Sequence, residues 1–183
     1  MKQHYEAFPH NDANFVPLSP LSFITRTVDL FPQRTSLIYG DKHYSWAESF
    51  ARMRQLASAL DRAGLGIGDT VSVIAANTPE MFEAHFGVPM AGCVLNTINT
   101  RLESETIAYI LENSDCRLLI TDTAFAPNVG PALAALPDDV RARIRVVDIR
   151  DPAMGDLPPL GDEDYEAFIA GGDPAYDLSL IHI

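Results

Sequence analysis

The chain has 183 residues, 47% of them hydrophobic, which fits one α/β core or one large subdomain. Thirteen basic residues against 25 acidic ones give a formal net charge of −12, which argues against nucleic acid or an anionic membrane surface as a partner. The sequence has no apolar run of about 18 residues, so we expect no membrane span. Residues 1–10 lack the basic-then-apolar order of a secretory signal, so we predict a cytoplasmic location.

The first predicted element is a helix that follows an extended arm, residues 1–18. Ser19 has the chemistry of a helix N-cap, and Pro20 suits the first helical position. Pro32 ends the helix, because proline cannot continue the backbone hydrogen bonding. The helical spacing predicts one buried face, formed by Leu21, Ile24, Val28 and Phe31.

A β-hairpin and a long helix are predicted next. The β-prone runs 36–39 and 43–46 are separated by a Gly-Asp pair that favours a tight turn. Ser45 and Glu48 form a capping-box pattern, in which the serine caps a backbone N–H and the glutamate reaches back. The helix that this box opens is expected to stop at Gly64.

Strand-like and helix-like patterns then alternate as far as residue 149, which predicts a mostly parallel sheet with helices on both faces. The helix that starts at Thr78 carries Met81, Phe82 and Phe86 around much of its circumference, so we expect it to be deeply packed. The fold class is therefore α/β. The predicted strands are 70–75, 93–96, 117–121 and 144–149, and the later helices are 78–90, 105–113 and 124–136.

We divide the chain into the arm at 1–18, an α/β subdomain at 19–150 and a loop-rich segment at 151–183. The last segment is rich in proline and glycine and holds one weak helix near 162–170. We interpret it as a truncated tail, because its final apolar run is neither capped nor continued.

The glycines of residues 64–69 resemble a dinucleotide-binding loop only in spacing. Such a loop follows a strand and opens a helix, whereas this segment follows a helix and opens a strand. We interpret it as a helix C-cap followed by a tight turn. Cys93 and Cys116 are 23 positions apart within apolar runs, which favours two buried thiols over a metal or redox pair.

Candidate ligand-binding residues follow the predicted strands, because ligands of parallel α/β sheets bind beyond the carboxyl ends of the strands. Thr78 and Asp122 also lie there, but Thr78 is expected to be a helix N-cap, and either Asp122 or Thr123 is expected to be another. The sequence has no phosphate loop, no metal-binding pair of histidines and no nucleophile elbow, so we predict no catalytic, cofactor-binding or metal-binding residue. The substrate-side candidates are Asn77, Asn96, Asn99 and Arg101.

Each candidate also has a purely structural interpretation. Arg101 could pair with Glu103 or Glu105 on the surface, and Asn96 and Asn99 could satisfy backbone groups of the loop. On residue chemistry alone, the sequence indicates an α/β subdomain and no specific activity.

Seven segments of the chain, taken together and in order, carry a family resemblance that none of them carries alone. They are residues 31–34, 39–46, 64–73, 77–80, 87–102, 107–111 and 118–122. With these segments the chain resembles the start of the adenylate-forming superfamily, which contains acyl-CoA synthetases, luciferases and peptide-synthetase adenylation domains. The segment at residues 96–102 is most similar to the branch that activates fatty, aromatic or other small carboxylic acids. One departure is Glu103, where relatives often have a helix-capping Thr or Ser, so Thr100 or Ser104 is the alternative cap.

The resemblance implies an ATP-dependent, AMP-forming acid–CoA ligase. In this reaction a carboxylate attacks the α-phosphate of ATP to give an acyl-adenylate, and the thiol of CoA then displaces AMP. The full-length enzyme is implied to use ATP, Mg²⁺ and CoA on a small carboxylic or fatty acid. Its phosphate loop would begin shortly after residue 183, so we expect this chain to be an N-terminal part that is catalytically incomplete and binds none of these cofactors tightly.

Two alternatives stay open at this point. One is a short interaction or regulatory module derived from the same fold, and the other is an unrelated Rossmann-like enzyme that would bind NAD or S-adenosylmethionine. The sequence does not indicate which acid is activated or the oligomeric state.

Overall fold

The computed structural model describes residues 19–155, 157–161 and 163–177. The arm predicted at 1–18 and the last six residues of the predicted tail lie outside this part of the chain. The described residues contain two sheets and seven α-helices. The helices are α1 (Pro20–Leu30), α2 (Trp46–Arg62), α3 (Pro79–Met90), α4 (Ser104–Asn113), α5 (Ala126–Ala135), α6 (Asp138–Arg141) and α7 (Tyr165–Ala170). The strands are β1 (Thr35–Tyr39), β2 (Lys42–Ser45), β3 (Thr70–Ile74), β4 (Val94–Thr97), β5 (Cys116–Asp122), β6 (Arg145–Ile149) and β7 (Glu163–Asp164).

The main sheet has five parallel strands in the order β4-β3-β5-β6-β7, and β1 and β2 form a separate antiparallel hairpin. Helices α2, α3 and α7 pack on one face of the sheet, and α4 and α5 pack on the other. Because both faces are covered, the interior strand β3 is buried along its whole length, as is typical of parallel sheets. The predicted α/β class, the parallel sheet and the hairpin are confirmed.

Local signals in the sequence produce the structure that they predict. Ser45 and Glu48 make both hydrogen bonds of the capping box, and Ser19 caps α1 through the Leu21 amide. Gly40 adopts a φ of +56° in the hairpin turn, a value that glycine tolerates without a steric penalty. Residues 64–69 connect the end of α2 to the start of β3, which excludes a dinucleotide-binding loop in this segment.

The packing of α2 against α3 depends on a glycine. A Cβ atom added at Gly87 would lie 2.8 Å from the Met53 carbonyl oxygen and 2.8 Å from the Leu56 side chain. The two helices therefore approach too closely there for any other residue. Both cysteines are buried free thiols, as predicted, and burial raises the pKa of Cys93 to about 11.

Helix α3 is deeply packed, as expected, but its aromatic residues are not its most buried ones. Glu80 and Glu83 are buried, whereas Met81, Phe82 and Phe86 are only half-buried. Glu83 finds polar partners in Arg52 and Tyr165, whereas the aromatic residues border an open pocket. The apolar residues Val88 and Met90 of the same helix are buried.

Other predictions failed at the ends of elements. Phe31 was expected on the buried face of α1 but is 44% exposed, because the helix ends at Leu30 and the backbone turns away. Neither Thr100 nor Ser104 caps α4, whose N-cap is Glu103 without a side-chain hydrogen bond. The weak helix of the tail is α7, which starts three residues later than predicted and is capped by Asp164.

Within the described residues, no helix is both long enough and apolar enough to cross a membrane.

Candidate functional site

The candidate site lies at the carboxyl edge of the main sheet. Strands β3, β4, β5 and β6 are parallel, so the segments that follow them emerge at the same edge. In open parallel sheets this edge is where ligands bind. It carries three features here: an apolar pocket, a polar turn after β4 and a cluster of buried acids.

The apolar pocket has a volume of about 510 Å³, within the range of small-molecule sites. Asn77 and Thr78, which follow β3, contribute its polar atoms. Thr78 is the N-cap of α3, as predicted, while Asn77 is exposed and makes no side-chain hydrogen bond within the described residues. The pocket is lined by Leu37, Asn77, Thr78, Met81, Phe82, His85 and Phe86.

His85 lies at the rim of this pocket. Its Nδ1 is 2.7 Å from the Met81 carbonyl oxygen, so Nδ1 donates in the neutral ring and Nε2 is left as an acceptor. The histidine is exposed, and its bond runs to its own helix rather than to a carboxylate. This arrangement holds the ring in place and leaves Nε2 free to contact a ligand.

The polar turn after β4 brings Asn99 and Arg101 together. The Asn99 Oδ1 accepts a hydrogen bond of 2.9 Å from the Arg101 amide, the local bond that asparagine forms in turns. The Arg101 side chain is exposed and is in no ion pair within the part of the chain that the structure describes. The predicted pairing with Glu103 or Glu105 is not observed there.

Asn96 is not part of this turn. Its amide nitrogen donates to the Ser72 hydroxyl at 3.0 Å and to the Ser114 hydroxyl at 3.3 Å. These bonds link β4 to β3 and to the end of α4. The structure therefore brings Asn99 and Arg101 into one turn, places Asn77 at the neighbouring pocket and commits Asn96 to contacts between elements.

The third feature is a carboxyl-edge acid cluster, which we define as Tyr39, Glu80, Asp122 and Asp151. The Tyr39 hydroxyl donates to the Asp151 carboxylate, so the hairpin reaches across to the end of β6. This bond, burial and the nearby carboxylates of Asp151, Glu80 and Asp122 raise the pKa of Tyr39 to about 12. No lysine or arginine forms an ion pair with the three acids within the described residues.

Asp122 is the least satisfied member of this cluster. Its Oδ1 accepts the Ala124 amide at 2.9 Å, which makes it, of the two predicted residues, the N-cap, but Oδ2 is buried and has no hydrogen-bond partner among the described residues. Burial, together with the charges of Asp151 and Glu80, raises the pKa of Asp122 against the effect of the Ala124 bond. A buried carboxylate in this position favours the protonated form or a nearby cation.

Sequence reasoning missed this cluster as a unit. Tyr39 and Asp151 are 112 positions apart, and nothing in either local pattern indicates a contact. Asp122 was expected only as one of two possible N-caps. A buried aspartate and an exposed one share the same local sequence signals, so only tertiary structure distinguishes them.

The described residues do not fit ATP, Mg²⁺ or CoA. No group of three or more histidine, cysteine, aspartate or glutamate side chains among them is arranged to hold a metal ion. The negative charges of the acid cluster repel phosphate oxygens. Arg101 supplies one exposed positive charge, which is too little to balance the charge of a triphosphate. We therefore derive no step of a nucleotide reaction from these residues.

The fold defines a doubly wound α/β subdomain with an apolar pocket and an acid cluster at its carboxyl edge. A family model described as "AMP-binding enzyme" matches residues 24–176, which is most of the chain. The chain belongs to the AMP-binding enzyme family.

Characterised relatives in this family are CoA ligases. The chain is 40% identical over 177 residues to the acetate–CoA ligase CCL3 of Humulus lupulus, covering 92% of this chain and 31% of the relative. It is 38% identical over 164 residues to the peroxisomal butyrate–CoA ligase AAE11 of Arabidopsis thaliana, covering 89% of this chain and 29% of that protein. The chain thus spans about 30% of the length of these relatives.

A solved structure gives the same fold. The anthranilate CoA ligase AuaEII, crystallised with anthranoyl-AMP, superposes with a TM-score of 0.77 over 89% of this chain and 30% of its own. The sequence identity is 21%, so this likeness concerns the fold.

Proposed function

We propose that this chain is the N-terminal part of an ATP-dependent, AMP-forming acid–CoA ligase and is inactive by itself. The complete enzyme would convert a carboxylic acid into an acyl-adenylate and then into an acyl-CoA. The observation that carries this proposal is the family match over residues 24–176, combined with relatives that are CoA ligases about three times as long. The acid cluster supports the second part of the proposal, because it repels the phosphates that the reaction must bind.

We propose a small carboxylic acid as the substrate of the complete enzyme. The names of similar proteins refer to acetate, butyrate, benzoate and trans-cinnamate, which are short aliphatic or aromatic acids. The pocket beside α3 is mostly apolar and therefore suits an uncharged hydrocarbon group better than a phosphate. A longer fatty acid is the alternative that a substrate panel would reveal.

Among the candidate residues, we propose that Asn77 and Arg101 face the substrates. Asn77 has an uncommitted amide at the pocket, and Arg101 has an uncommitted guanidinium at the edge, where it can attract a carboxylate or a phosphate. Asn96 and Asn99 are proposed to position the adjoining segments, because their side chains already bond within the chain.

A chimeric enzyme tests these assignments. Residues 19–176 of this chain would replace the matching part of the Humulus lupulus ligase, and acid-dependent exchange of pyrophosphate into ATP would be measured with acetate, butyrate, benzoate, trans-cinnamate and a long-chain acid. We expect exchange by the chimera and none by the 183-residue chain alone. Exchange by the isolated chain would contradict the proposal, and so would a well-folded chimera that is inactive with every acid.

Two variants in the chimera separate substrate contact from folding. Asn77→Ala and Arg101→Ala should each raise the KM of at least one substrate by about tenfold, the scale of one lost charged or polar contact of about 1.4 kcal/mol. Arg26→Ala, on the exposed side of α1, is the matched control and should leave every KM unchanged. If Asn77→Ala and Arg101→Ala leave every KM as unchanged as Arg26→Ala does, neither Asn77 nor Arg101 contacts a substrate.

We propose a cytoplasmic location for the complete protein. The peroxisomal relatives make that organelle the alternative. Imaging of the complete protein with a fluorescent tag would distinguish the two, because a punctate signal would contradict the cytoplasmic proposal.

A further inference from the structure

Three neighbouring strands of the main sheet lead into buried acids at the carboxyl edge. Glu80 follows β3, Asp122 ends β5 and Asp151 follows β6. The strands lie in the order β3-β5-β6, so Asp122 lies between the other two acids. Only 8%, 0% and 6% of these three residues is exposed, in the same order. The carboxyl-edge acid cluster therefore gathers three carboxylates inside the protein.

The hydrogen bonds of these carboxylates come from neutral donors. The Ala124 amide donates to Oδ1 of Asp122, and the Ala153 amide donates to Oδ1 of Asp151, each at 2.9 Å. The Tyr39 hydroxyl donates to the other oxygen of Asp151. Oδ2 of Asp122 is buried and has no partner among the described residues. Neutral donors satisfy part of the hydrogen bonding but leave the negative charge unbalanced.

No positive charge balances the cluster within the part of the chain that the structure describes. Arg150 is next to Asp151 in the sequence, but its guanidinium pairs with Asp164 at 3.6 Å. The other ion pairs of the described residues involve acids outside the cluster. Buried carboxylates in proteins are normally paired with a cation, because an unpaired buried charge is costly. The cluster therefore lacks a counter-charge.

The chemistry of the proposed reaction narrows the choice of that cation. A carboxylic acid, ATP and CoA are all anions at neutral pH, so the cluster repels each of them. A metal ion does not fit, because the described histidine, cysteine, aspartate and glutamate side chains include no group of three or more that could hold one. A lysine ammonium or an arginine guanidinium needs only one or two carboxylates. A basic side chain is therefore the cation that fits.

The rest of the complete enzyme is the source that fits such a side chain. The match covers 31% and 29% of the two similar ligases, so most of the length of each lies outside it. The carboxyl edge is also the edge that ligands approach in open parallel sheets. Glu80 and Asp151 keep a little exposed surface there, so an incoming cation reaches the cluster through these two carboxylates.

We propose that the carboxyl-edge acid cluster binds a lysine or arginine side chain from the part of the complete enzyme that lies outside this chain. This proposal rests on the function proposed above, because a protein without that part would have no such side chain to supply. The cation would contact Glu80 and Asp151 and would balance the charge of Asp122 beside them. The cluster is then an interface between two parts of the enzyme rather than a substrate site.

The sign of one substitution tests this proposal. Asp122→Asn should raise the thermal unfolding midpoint of the 183-residue chain by about 2–4 °C, because it removes an unpaired charge. In the chimera with the Humulus lupulus ligase the same substitution should lower the midpoint, because it removes a charge that the bound cation stabilises. Asp148→Asn is the matched control and should lower both midpoints, since Asp148 bonds to backbone amides of this chain.

Pyrophosphate exchange by the unsubstituted chimera tests the proposed function separately. A lower midpoint for Asp122→Asn in the chimera supports the bound cation, whether or not exchange is seen. A higher midpoint for Asp122→Asn in both the chimera and the 183-residue chain would overturn the proposal, even if the chimera is active.

Small cations give a second test that needs only the 183-residue chain. Butylammonium and methylguanidinium chlorides, which are analogues of the lysine and arginine side chains, should raise its midpoint relative to sodium chloride at the same ionic strength. Glu80→Gln/Asp122→Asn should abolish this rise. An equal response in the original chain and the double variant would overturn the proposal. A larger rise with magnesium chloride would also overturn it, because the cluster would then be a metal site.

Discussion

Two buried acids of this molecule, Glu83 and Asp122, have very different surroundings. Glu83 lies inside the α2-α3-α7 face and is bound by Arg52, whose Nε and Nη2 reach the two carboxylate oxygens, and by the Tyr165 hydroxyl at 2.9 Å. Asp122 lies at the carboxyl edge and has only the Ala124 amide. Both are almost fully buried, at 2% and 0% exposure.

The two acids differ in whether the described residues supply partners for the whole carboxylate. Two helices supply the partners of Glu83: α2 carries Arg52 and α7 carries Tyr165. Arg52 also donates to Glu166 on α7, so the polar groups of this face are paired with one another. Around Asp122, the neighbours Glu80 and Asp151 are also acids. A buried carboxylate that lacks a cation is costly, so the carboxyl edge is the region where the chain is expected to gain stability from a binding partner.

The largest expected effect comes from removing Arg52, the cation that pairs with Glu83. Arg52→Met should lower the free energy of unfolding by about 3–5 kcal/mol, because it leaves Glu83 buried without its ion pair. Urea denaturation would measure this, with Arg26→Met on the exposed side of α1 as the matched control. Arg52→Met/Glu83→Gln should recover most of the loss, since glutamine still accepts from Tyr165. A loss below about 1 kcal/mol for Arg52→Met would show that the Arg52–Glu83 pair contributes little to the free energy of unfolding.

The next effect concerns an aspartate that is satisfied by backbone amides. Asp148 accepts hydrogen bonds from the amides of Leu160, at 3.1 Å, and Gly161, at 2.8 Å. Both of these bonds end on Oδ2, while Oδ1 accepts only from the Leu160 amide, at 3.2 Å. Asp148→Asn should cost about 1 kcal/mol of unfolding free energy, because the new NH₂ at the Oδ1 position faces the Leu160 amide and the charge that strengthens the remaining bonds is lost. Thermal or urea unfolding at pH 7 would measure the change. An unchanged midpoint would show that these bonds do not hold the tail to β6.

The same substitution at Asp122 should have the opposite sign. Asp122→Asn removes an unpaired buried charge and keeps the cap on Ala124, so we expect a gain of about 1 kcal/mol at pH 7. The folded pKa is raised above the usual 3.8, so the protonated acid stabilises the fold at low pH, and that contribution is lost as pH rises through the folded pKa. The gain should therefore shrink as the pH falls toward 3.8.

Urea unfolding of both proteins from pH 4 to pH 8 would measure the difference at Asp122. A pH-independent difference, or a loss of stability at pH 7, would show that the Asp122 carboxylate is satisfied in solution.

The smallest effect is at Tyr39, at the rim of the same cluster. Tyr39→Phe should lower stability at pH 7 by about 1 kcal/mol through loss of the bond to Asp151. Because the pKa of Tyr39 is raised from 10.0 to about 12, this contribution is intact below pH 10 and is lost as pH rises through about 12. Ultraviolet titration of tyrosinate should lose one transition near pH 12 in the variant. An unchanged titration curve would remove Tyr39 from the cluster.

The sequence by itself determined the α/β class, the hairpin, the capping box at Ser45 and the caps at Ser19 and Thr78. Each of these depends on interactions between residues at most a few positions apart, or on the regular alternation of strands and helices. Seven segments that match the family in the same order along the chain also indicate an adenylate-forming enzyme.

Only the tertiary structure decided which sides of α3 are buried and which acids have partners. The bond between Tyr39 and Asp151 spans 112 positions and the Arg52–Glu83 pair spans 31. The energy of a buried charge depends on whether a distant part of the chain brings a counter-ion, and that is set by packing rather than by any local pattern.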